Sequence, residues 1–217
     1  MRESLVRVDT FKEDAPRSRI GSLFLDRDGV IIRDTDYISD PKDVEIIPGI
    51  RELIIRARES GMMVIVVTNQ SGIGRGLFGW EEYDSVNKEM LRQLGNDSKP
   101  DAIYANGYKP SENISWWRKP SPGMLVAAKE RYMLEMKDSI LVGDRLSDVQ
   151  AGIAGKIGKI YHVKTGHGAK ERCTVISYLN ESMLRGESNI NERIRLVDDA
   201  NDVRIDTQRI SLEDYVQ

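Results

Sequence analysis

The sequence has few of the residues that disulfides and soft metal sites require. It contains one cysteine, Cys173, and two histidines among 217 residues. A single cysteine excludes a disulfide within the chain and suits a reducing cytosol. So small a set of thiol and imidazole ligands does not favour a structural zinc site. We therefore expect a cytoplasmic protein that has no structural zinc.

Long apolar runs and a strong net charge are also missing. No stretch approaches the ~20 apolar residues that are needed to span a bilayer, and the charged segment 1–19 lacks the apolar core of a secretory signal. A net charge of −3 and a pI near 5.6 give no electrostatic reason for broad nucleic-acid binding. Membranes and broad nucleic-acid binding are thus not favoured, while a local basic patch and the oligomeric state are open.

What the sequence does have is an alternation of short apolar runs with helical patterns, from residue 22 to about 165. The predicted strands are Leu23–Leu25, Met62–Val67, Ala102–Tyr104, Ile140–Val142 and Lys159–Val163. The predicted helices begin near Pro48, at Trp80, at Ser121–Pro122 and at Ser147. This order predicts an α/β protein with a mostly parallel sheet that is covered on both faces. Ligands of such sheets bind at the carboxyl ends of the strands.

The pattern divides the chain into three parts. Residues 20–168 carry the alternation and are predicted to form one domain. Residues 1–19 are interpreted as a flexible arm or a short added element. Residues 169–217 are more polar, with a weak helical pattern over Val175–Leu184, and we expect them to pack partly on the core.

The first predicted strand ends on two carboxylates. Asp26 and Asp28 follow Leu25 and precede Gly29, and an unpaired charge at the end of a buried strand costs several kcal/mol. Residues two apart on a strand point the same way, so the two carboxylates could converge on a hard cation such as Mg²⁺. For this segment alone, a strand that ends in a polar turn is the alternative interpretation.

Two further polar groups follow the same logic. Thr68-Asn69-Gln70 ends the second predicted strand and could hold an anion with neutral donors, or form an ordinary polar loop. Asp144 directly follows the fourth strand, and Asp148 lies four residues further on. Asp148 by itself could be a favourable charge in the first turn of a helix.

A pair of cations, Arg118 and Lys119, precedes the third predicted helix. Cations near a helix N-terminus are unfavourable unless an anion lies between them. The pair therefore points to a phosphate, or to Asp26 as the partner of Lys119, with a solvated surface pair as the alternative.

Together these segments resemble the four motifs of the haloacid dehalogenase (HAD) superfamily of phosphatases, over residues 20–165. The matching segments, in order, are Asp26-Arg27-Asp28-Gly29-Val30, Thr68, Lys119 and Gly143-Asp144-x-x-x-Asp148. The longer strings Thr68–Gly76 and Arg118–Met124 are similar to the branch of D-glycero-D-manno-heptose 1,7-bisphosphate 7-phosphatases and histidinol phosphatases. Polynucleotide 3′-phosphatases share parts of these strings.

The resemblance implies a Rossmann-like three-layer α/β/α sandwich without a large cap domain, and Mg²⁺ as the cofactor. It implies that Asp26 is the nucleophile and Asp28 the general acid and base, while Thr68 and Lys119 hold the phosphoryl group. The implied metal ligands are Asp26, Asp28 through its backbone carbonyl, Asp144, and Asp148 directly or through a contact with the ligands. The implied substrate contacts are Asn69, Gln70, Arg75 and Arg118.

The leading functional hypothesis is a phosphatase that acts on a phosphorylated small molecule, a sugar phosphate such as heptose 1,7-bisphosphate. A histidinol phosphatase, a polynucleotide 3′-phosphatase and a non-catalytic phosphosugar-binding protein are the alternatives. Many members of the branch carry a Cys/His zinc loop, but the corresponding segment Asn106–Trp117 has neither residue. We expect packing of Tyr108, Trp116 and Trp117 to hold this loop. Adjacent residues of an extended segment point opposite ways, so both tryptophans cannot face inward; one of them could be exposed, and partial burial is the more common alternative.

Overall fold

Seven strands form one sheet in the computed structural model, which describes residues 5–12, 20–111 and 116–205, with Ser188 and Asn189 described by their backbone only. The strands are β1 (Val6–Thr10), β2 (Ser22–Leu25), β3 (Met63–Asn69), β4 (Ala102–Asn106), β5 (Ile140–Gly143), β6 (Lys159–His162) and β7 (Ile194–Leu196). Their order across the sheet is β1-β4-β3-β2-β5-β6-β7. All neighbours are parallel except β1, which is antiparallel to β4.

The centre of the sheet is apolar on both faces. All four residues of β2 are buried, and its Leu25 lies opposite Val66 of β3 and Val142 of β5. Runs of this kind, without alternation, are typical of parallel strands that are covered on both sides. Because β2, β3 and β5 are parallel neighbours, their carboxyl ends meet at one edge of the sheet.

Helices cover both faces, as the sequence predicts. They are α1 (Ile50–Glu59), α2 (Ser71–Gly74), α3 (Trp80–Leu94), α4 (Gly123–Tyr132), α5 (Leu146–Ala154), α6 (Gly168–Leu184) and α7 (Ser188–Arg193). On one face, Ile50 of α1 and Met90 of α3 belong to a single apolar cluster with Leu25. On the other face, Leu125 of α4 and Val149 of α5 pack with the remaining half of the core. The predicted α/β/α sandwich is therefore confirmed.

The starts of two helices differ from the prediction. Helix α4 begins at Gly123, and the preceding Pro122, at φ −85° and ψ 9°, is its cap rather than its first residue. Ser121 does not cap this helix with its side chain, because it belongs to a turn in which its N–H donates to the Arg118 carbonyl at 2.8 Å. Pro48 likewise lies before α1, whose cap is Gly49 at φ +83°.

Both outer strands of the sheet lie outside the predicted strands. The described part of segment 1–19 includes β1, an added edge strand, and β7 extends the other edge beyond β6. The sheet thus continues past residue 168, and Val175, Ile194 and Ala200 of the later segment are buried. The apolar segment Ile210–Val216 lies outside the described residues.

The connections between these elements are loops and short helices. The link from β2 to α1 spans residues 26–49 and holds one 3-10 helix, Pro41–Asp43. Within the described ranges, no separate folded unit is inserted there or between β3 and α4. None of the described helices is long and apolar enough to cross a membrane.

Candidate active site

The nucleophile candidate, Asp26, lies directly after β2 and is buried against a lysine. The Asp26 Oδ2 atom is 2.8 Å from Lys119 Nζ, and the same ammonium lies 2.5 Å from Asp148 Oδ1. Lys119 also donates to the Val67 carbonyl of β3, at 2.9 Å. The expected pairing of Lys119 with Asp26 is confirmed, and one buried cation joins residues from three separate segments.

Three carboxylates meet at this point. Oxygen atoms of Asp26, Asp144 and Asp148 all lie within 4.8 Å of one another. One oxygen of Asp144, Oδ2, accepts the N–H of His167 at 2.7 Å, whereas Oδ1 is buried with no hydrogen-bond partner among the described residues. An unpaired buried carboxylate oxygen is costly, and hard oxygen ligands are what Mg²⁺ prefers. The residues present therefore fit a Mg²⁺ ion. We call Asp26, Lys119, Asp144 and Asp148 the floor cluster.

Asp148 has two functions at once. Its Oδ1 atom pairs with Lys119, and its Oδ2 atom accepts the Arg145 N–H at 3.0 Å, which closes the first turn of α5. The interpretation as a charge in the first turn of a helix is confirmed, and the role of Asp148 in metal binding remains a prediction. Gly143 makes this placement of Asp148 possible, because a Cβ atom at Gly143 would collide with the Asp148 side chain.

Burial and mutual repulsion shift the charges of the floor cluster. Burial raises the pKa of Asp26 to about 7; Lys119 acts against this rise, and Asp148 adds to it. Burial, together with the charges of Asp26 and Asp148, raises the pKa of Asp144 to about 8. Burial alone would lower the pKa of Lys119, but the Asp148 and Asp26 carboxylates outweigh it and raise that pKa. A divalent cation would have to displace protons from these carboxylates.

Two glycines allow the backbone to approach Asp144. Gly29 has φ +84° and Gly166 has φ +57°, a region that side chains with a Cβ atom rarely adopt. A Cβ atom at either position would also collide with Asp144 Oδ2. The turn after β2 and the loop after β6 therefore need glycine in order to pack against the Asp144 carboxylate.

Asp28 is held apart from this cluster. Strand β2 ends at Leu25, so the strand alternation that would aim Asp28 and Asp26 the same way no longer applies. The Asp28 carboxylate instead accepts hydrogen bonds from Arg27 and, at 2.7 Å, from Gln70. The expected convergence of both side chains on one cation is wrong, and a contribution from the Asp28 backbone carbonyl remains a prediction.

The polar residues at the end of β3 bind mainly to other parts of the site. Thr68 is fully buried, and its hydroxyl accepts a hydrogen bond from Gln70 at 2.8 Å. The Asn69 amide donates to the Lys119 carbonyl and accepts the Lys119 N–H, both at 3.1 Å. Asn69 and Gln70 thus orient Lys119 and Asp28, and their predicted contacts with substrate remain predictions.

A cleft of about 550 Å³ opens above these residues. Besides the buried Arg27, the arginines Arg75, Arg118 and Arg145 line it, and we call these three the arginine group. Burial lowers the pKa of Arg118, and the nearby Arg75 charge lowers it further. Arg118 also donates to the Tyr108 carbonyl at 3.0 Å. Cations that repel one another in a cleft favour an anionic ligand.

Another part of the cleft is acidic. His167 Nε2 lies 2.9 Å from Asp34 Oδ2 and 3.7 Å from Asp36 Oδ1. Arg145 also reaches Asp34, at 3.4 Å. The sequence analysis did not identify Arg145, Asp34, Asp36 or His167 as site residues. For Arg145 a signal was present, because it directly follows Asp144; the others come from loops with no motif.

The loop that lacks cysteine and histidine is described except for residues 112–115. Trp116 is 54% exposed, whereas the ring of Trp117 packs 5.7 Å from that of Tyr104. The prediction that the two tryptophans do not both face inward is confirmed. Packing of Trp117 and the hydrogen bond from Arg118 to Tyr108 tie this loop to the sheet.

Several known proteins are similar to this chain in sequence. Residues 116–179 match a family model described as HAD-hyrolase-like. A D-glycero-beta-D-manno-heptose-1,7-bisphosphate 7-phosphatase of Mesorhizobium japonicum is 43% identical over 141 residues, which are 60% of this chain and 64% of that protein. A D-glycero-alpha-D-manno-heptose-1,7-bisphosphate 7-phosphatase of Burkholderia mallei is 39% identical over 144 residues, 63% of this chain and 76% of that protein.

A solved structure of a heptose bisphosphate phosphatase is also similar to this chain. The D,D-heptose 1,7-bisphosphate phosphatase of B. bronchiseptica, complexed with magnesium and phosphate, superposes with a TM-score of 0.69 and 29% identity, covering 84% of this chain and 94% of that one. Its fold agrees with the sandwich described above. The Burkholderia protein is 39% identical, 76% of it is covered, and the four motifs are present in this chain. The chain therefore belongs to the HAD superfamily of phosphatases.

Proposed function

We propose that the protein is a Mg²⁺-dependent phosphatase that removes the 7-phosphate of D-glycero-D-manno-heptose 1,7-bisphosphate through an aspartyl-phosphate. The observation that carries the proposal is the floor cluster: three carboxylates within 4.8 Å, two of them beside Lys119 and the third with an unpaired buried oxygen. Two similar proteins, 43% and 39% identical over the matched residues, are named for this substrate.

Asp26 begins the reaction in this proposal. Its carboxylate oxygen forms a bond to phosphorus, while the bond from phosphorus to the sugar oxygen breaks and Asp28 gives that oxygen a proton. Asp28 then takes a proton from a water molecule, whose oxygen attacks phosphorus and releases phosphate from Asp26. After the two steps, both aspartates are back in their starting states.

A carboxylate that attacks a phosphate dianion meets like-charge repulsion. Lys119 lies 2.8 Å from Asp26 and stabilises charge on the transferring oxygens. Asp26, Asp144 and Asp148 would hold Mg²⁺, which supplies further positive charge to the phosphoryl oxygens when bound. Thr68 is placed by Gln70 at the end of the neighbouring strand, where its backbone and hydroxyl can orient the phosphoryl group.

The arginine group supports a substrate with a second phosphate. Arg75, Arg118 and Arg145 line the same cleft as Asp26, and guanidinium groups bind phosphate in a bidentate manner. Histidinol phosphate carries an amine at its other end, which these cations would repel. A polynucleotide would need a long basic groove, but Asp34, Asp36 and Glu171 interrupt the positive charge here.

A substrate panel tests the proposal. We expect purified protein with Mg²⁺ to hydrolyse heptose 1,7-bisphosphate with a higher kcat/KM than histidinol phosphate or 3′-phosphorylated DNA, and EDTA to abolish the activity. The panel contains both anomers, because the two relatives differ in the anomer for which they are named. Equal turnover of all substrates would overturn the substrate, and no turnover of any would support a phosphosugar-binding protein. The cytoplasmic location remains a prediction.

A further inference from the structure

One buried arginine separates the two catalytic aspartates. Arg27 lies between Asp26 and Asp28 in the sequence and is 1% exposed. A buried guanidinium is tolerated only where carboxylates, amides or aromatic rings surround it. Its partners therefore indicate what it does.

On one side, Arg27 grips the carboxylate of Asp28. Its Nε and Nη2 atoms lie 3.2 and 3.1 Å from Asp28 Oδ1, and Nη2 lies 3.2 Å from Oδ2. Gln70 donates to Oδ2 at 2.7 Å. Both oxygens of Asp28 are held, yet the side chain is still 21% exposed, so the acid is fixed in direction while it faces the cleft.

On the other side, Arg27 is anchored to α3 and to the Gln70 side chain, which follows β3. Its Nη1 atom donates to Asn87 at 2.9 Å, and Nη2 donates to the Gln70 carbonyl oxygen at 3.0 Å. The guanidinium carbon lies 5.4 Å from the centre of the Tyr83 ring, within the range of a cation–π contact. Asn87 and Tyr83 are themselves buried in α3. These anchors fix the position of the guanidinium, and the guanidinium in turn fixes the direction of the Asp28 carboxylate.

We propose that Arg27 is a positioning residue that aims the Asp28 carboxyl at the leaving-group oxygen. The proposal rests on the proposed function, because Asp28 has an oxygen to protonate only in a phosphatase. Aiming matters where the leaving group needs a proton. An alkoxide from a sugar needs one as its bond to phosphorus breaks, whereas 4-nitrophenolate leaves without one.

Leaving-group dependence therefore distinguishes positioning from support of the fold. Arg27→Lys keeps the charge and loses the fork-shaped contact with both oxygens. We expect its kcat on the sugar phosphate to fall by about 30-fold, within the usual contribution of general acid catalysis. We expect the burst of 4-nitrophenolate from the first turnover of 4-nitrophenyl phosphate to stay within about threefold, and KM to stay unchanged.

Three further variants complete the experiment. Asp28→Asn is the reference for a missing acid and should show the same selective loss, only larger. Asn87→Leu releases the anchor and leaves the charge pair intact, so it tests the proposal if Arg27→Lys unfolds. Arg33→Lys is the matched control, because Arg33 pairs with Glu45 in solvent, with 66% of its side chain exposed, and should behave as wild type.

The outcomes separate the two proposals. The positioning role is overturned if Arg27→Lys and Asn87→Leu lose equal activity on both substrates, or lose none on either. In that case turnover by the wild-type protein still supports the phosphatase. A wild-type protein that hydrolyses neither substrate overturns the proposed function. Selective loss on the sugar phosphate supports both.

Discussion

The floor cluster and the arginine group differ in how far their charged side chains are exposed to water. In the floor cluster all four charged side chains are buried, and Lys119 pairs with Asp26 and Asp148 within 2.8 Å. In the arginine group Arg75 is exposed and the Arg145 side chain is 41% exposed. Charges fixed in a dry site stabilise a transition state without rearranging, whereas partly hydrated charges mainly attract and select ligands. We infer that the floor cluster determines the chemistry and the arginine group determines which phosphate ester binds.

The largest expected effect comes from the floor cluster. Asp26→Asn should lower kcat by at least about 10³-fold, because the amide cannot form the aspartyl-phosphate. Circular dichroism and Mg²⁺ titration should show that the fold and metal binding are kept. Near-normal hydrolysis by this variant would remove Asp26 from the role of nucleophile.

The next effect comes from removing the cation of the floor cluster. Lys119→Met should lower kcat by about 10²-fold. At pH 8 without Mg²⁺ it should also lose about 3 kcal/mol of unfolding free energy, because Asp26 and Asp148 lose their buried counter-ion. The stability loss should be smaller at pH 6, because the pKa of Asp26 is raised to about 7 and this carboxylate can take up a proton there.

Lys164→Met serves as the control for this loss. Lys164 pairs with Asp198 in solvent, and the two side chains are 50% and 69% exposed. Its removal should change the unfolding free energy by less than about 1 kcal/mol. Similar losses for the two lysine variants would mean that the floor cluster is not electrostatically distinct.

A smaller effect is expected from the arginine group. Arg118→Met should raise KM for the bisphosphate about tenfold, since a hydrogen bond to a charged group contributes about 1.5–3 kcal/mol. KM for 4-nitrophenyl phosphate, which has no second phosphate, should change less than twofold. Arg92→Ala, at an arginine that is 71% exposed on α3, is the control. Equal effects on both substrates would place Arg118 in the chemistry instead.

The smallest effect concerns protons on the floor cluster. Asp26 and Asp144 have pKa values raised to about 7 and about 8, so these two carboxyl groups hold more protons in the metal-free folded protein than in the unfolded chain from about pH 4 to 8. Their contribution to stability therefore falls as pH rises through that window. Mg²⁺ binds the ionised carboxylates, so its effect should grow over the same range.

Thermal unfolding measures this linkage. The rise in Tm on adding 10 mM Mg²⁺ should be at least about 3 °C larger at pH 8 than at pH 5.5. In Asp144→Asn the difference between the two pH values should shrink. A rise in Tm that does not depend on pH would contradict protonation of these carboxylates in the metal-free protein.

Sequence reasoning was most successful where an apolar strand runs directly into a polar side chain. Asp26, Thr68 and Asp144 were predicted on that basis, and the parallel sheet brings the ends of their strands together. Reasoning from alternation failed at Asp28, because β2 ends before it and the chain turns. There the direction of the side chain depends on Arg27 and on Gln70, which lies in a distant segment, directly after β3.

Contacts between distant segments were the hardest to predict. His167 and Asp34 meet because the loops after β6 and β2 lie side by side, and neither loop carries a pattern. The outer strands β1 and β7 were missed because they are short and partly exposed, so their apolar signal is weak. Neighbours in the fold, rather than local sequence, determine such elements.

The added strand β1 has a consequence for how the chain behaves in concentrated solution. It covers β4, whose five residues are all buried. A shortened chain that lacked residues 5–12 would present an open, apolar sheet edge, which is a common starting point for self-association and aggregation.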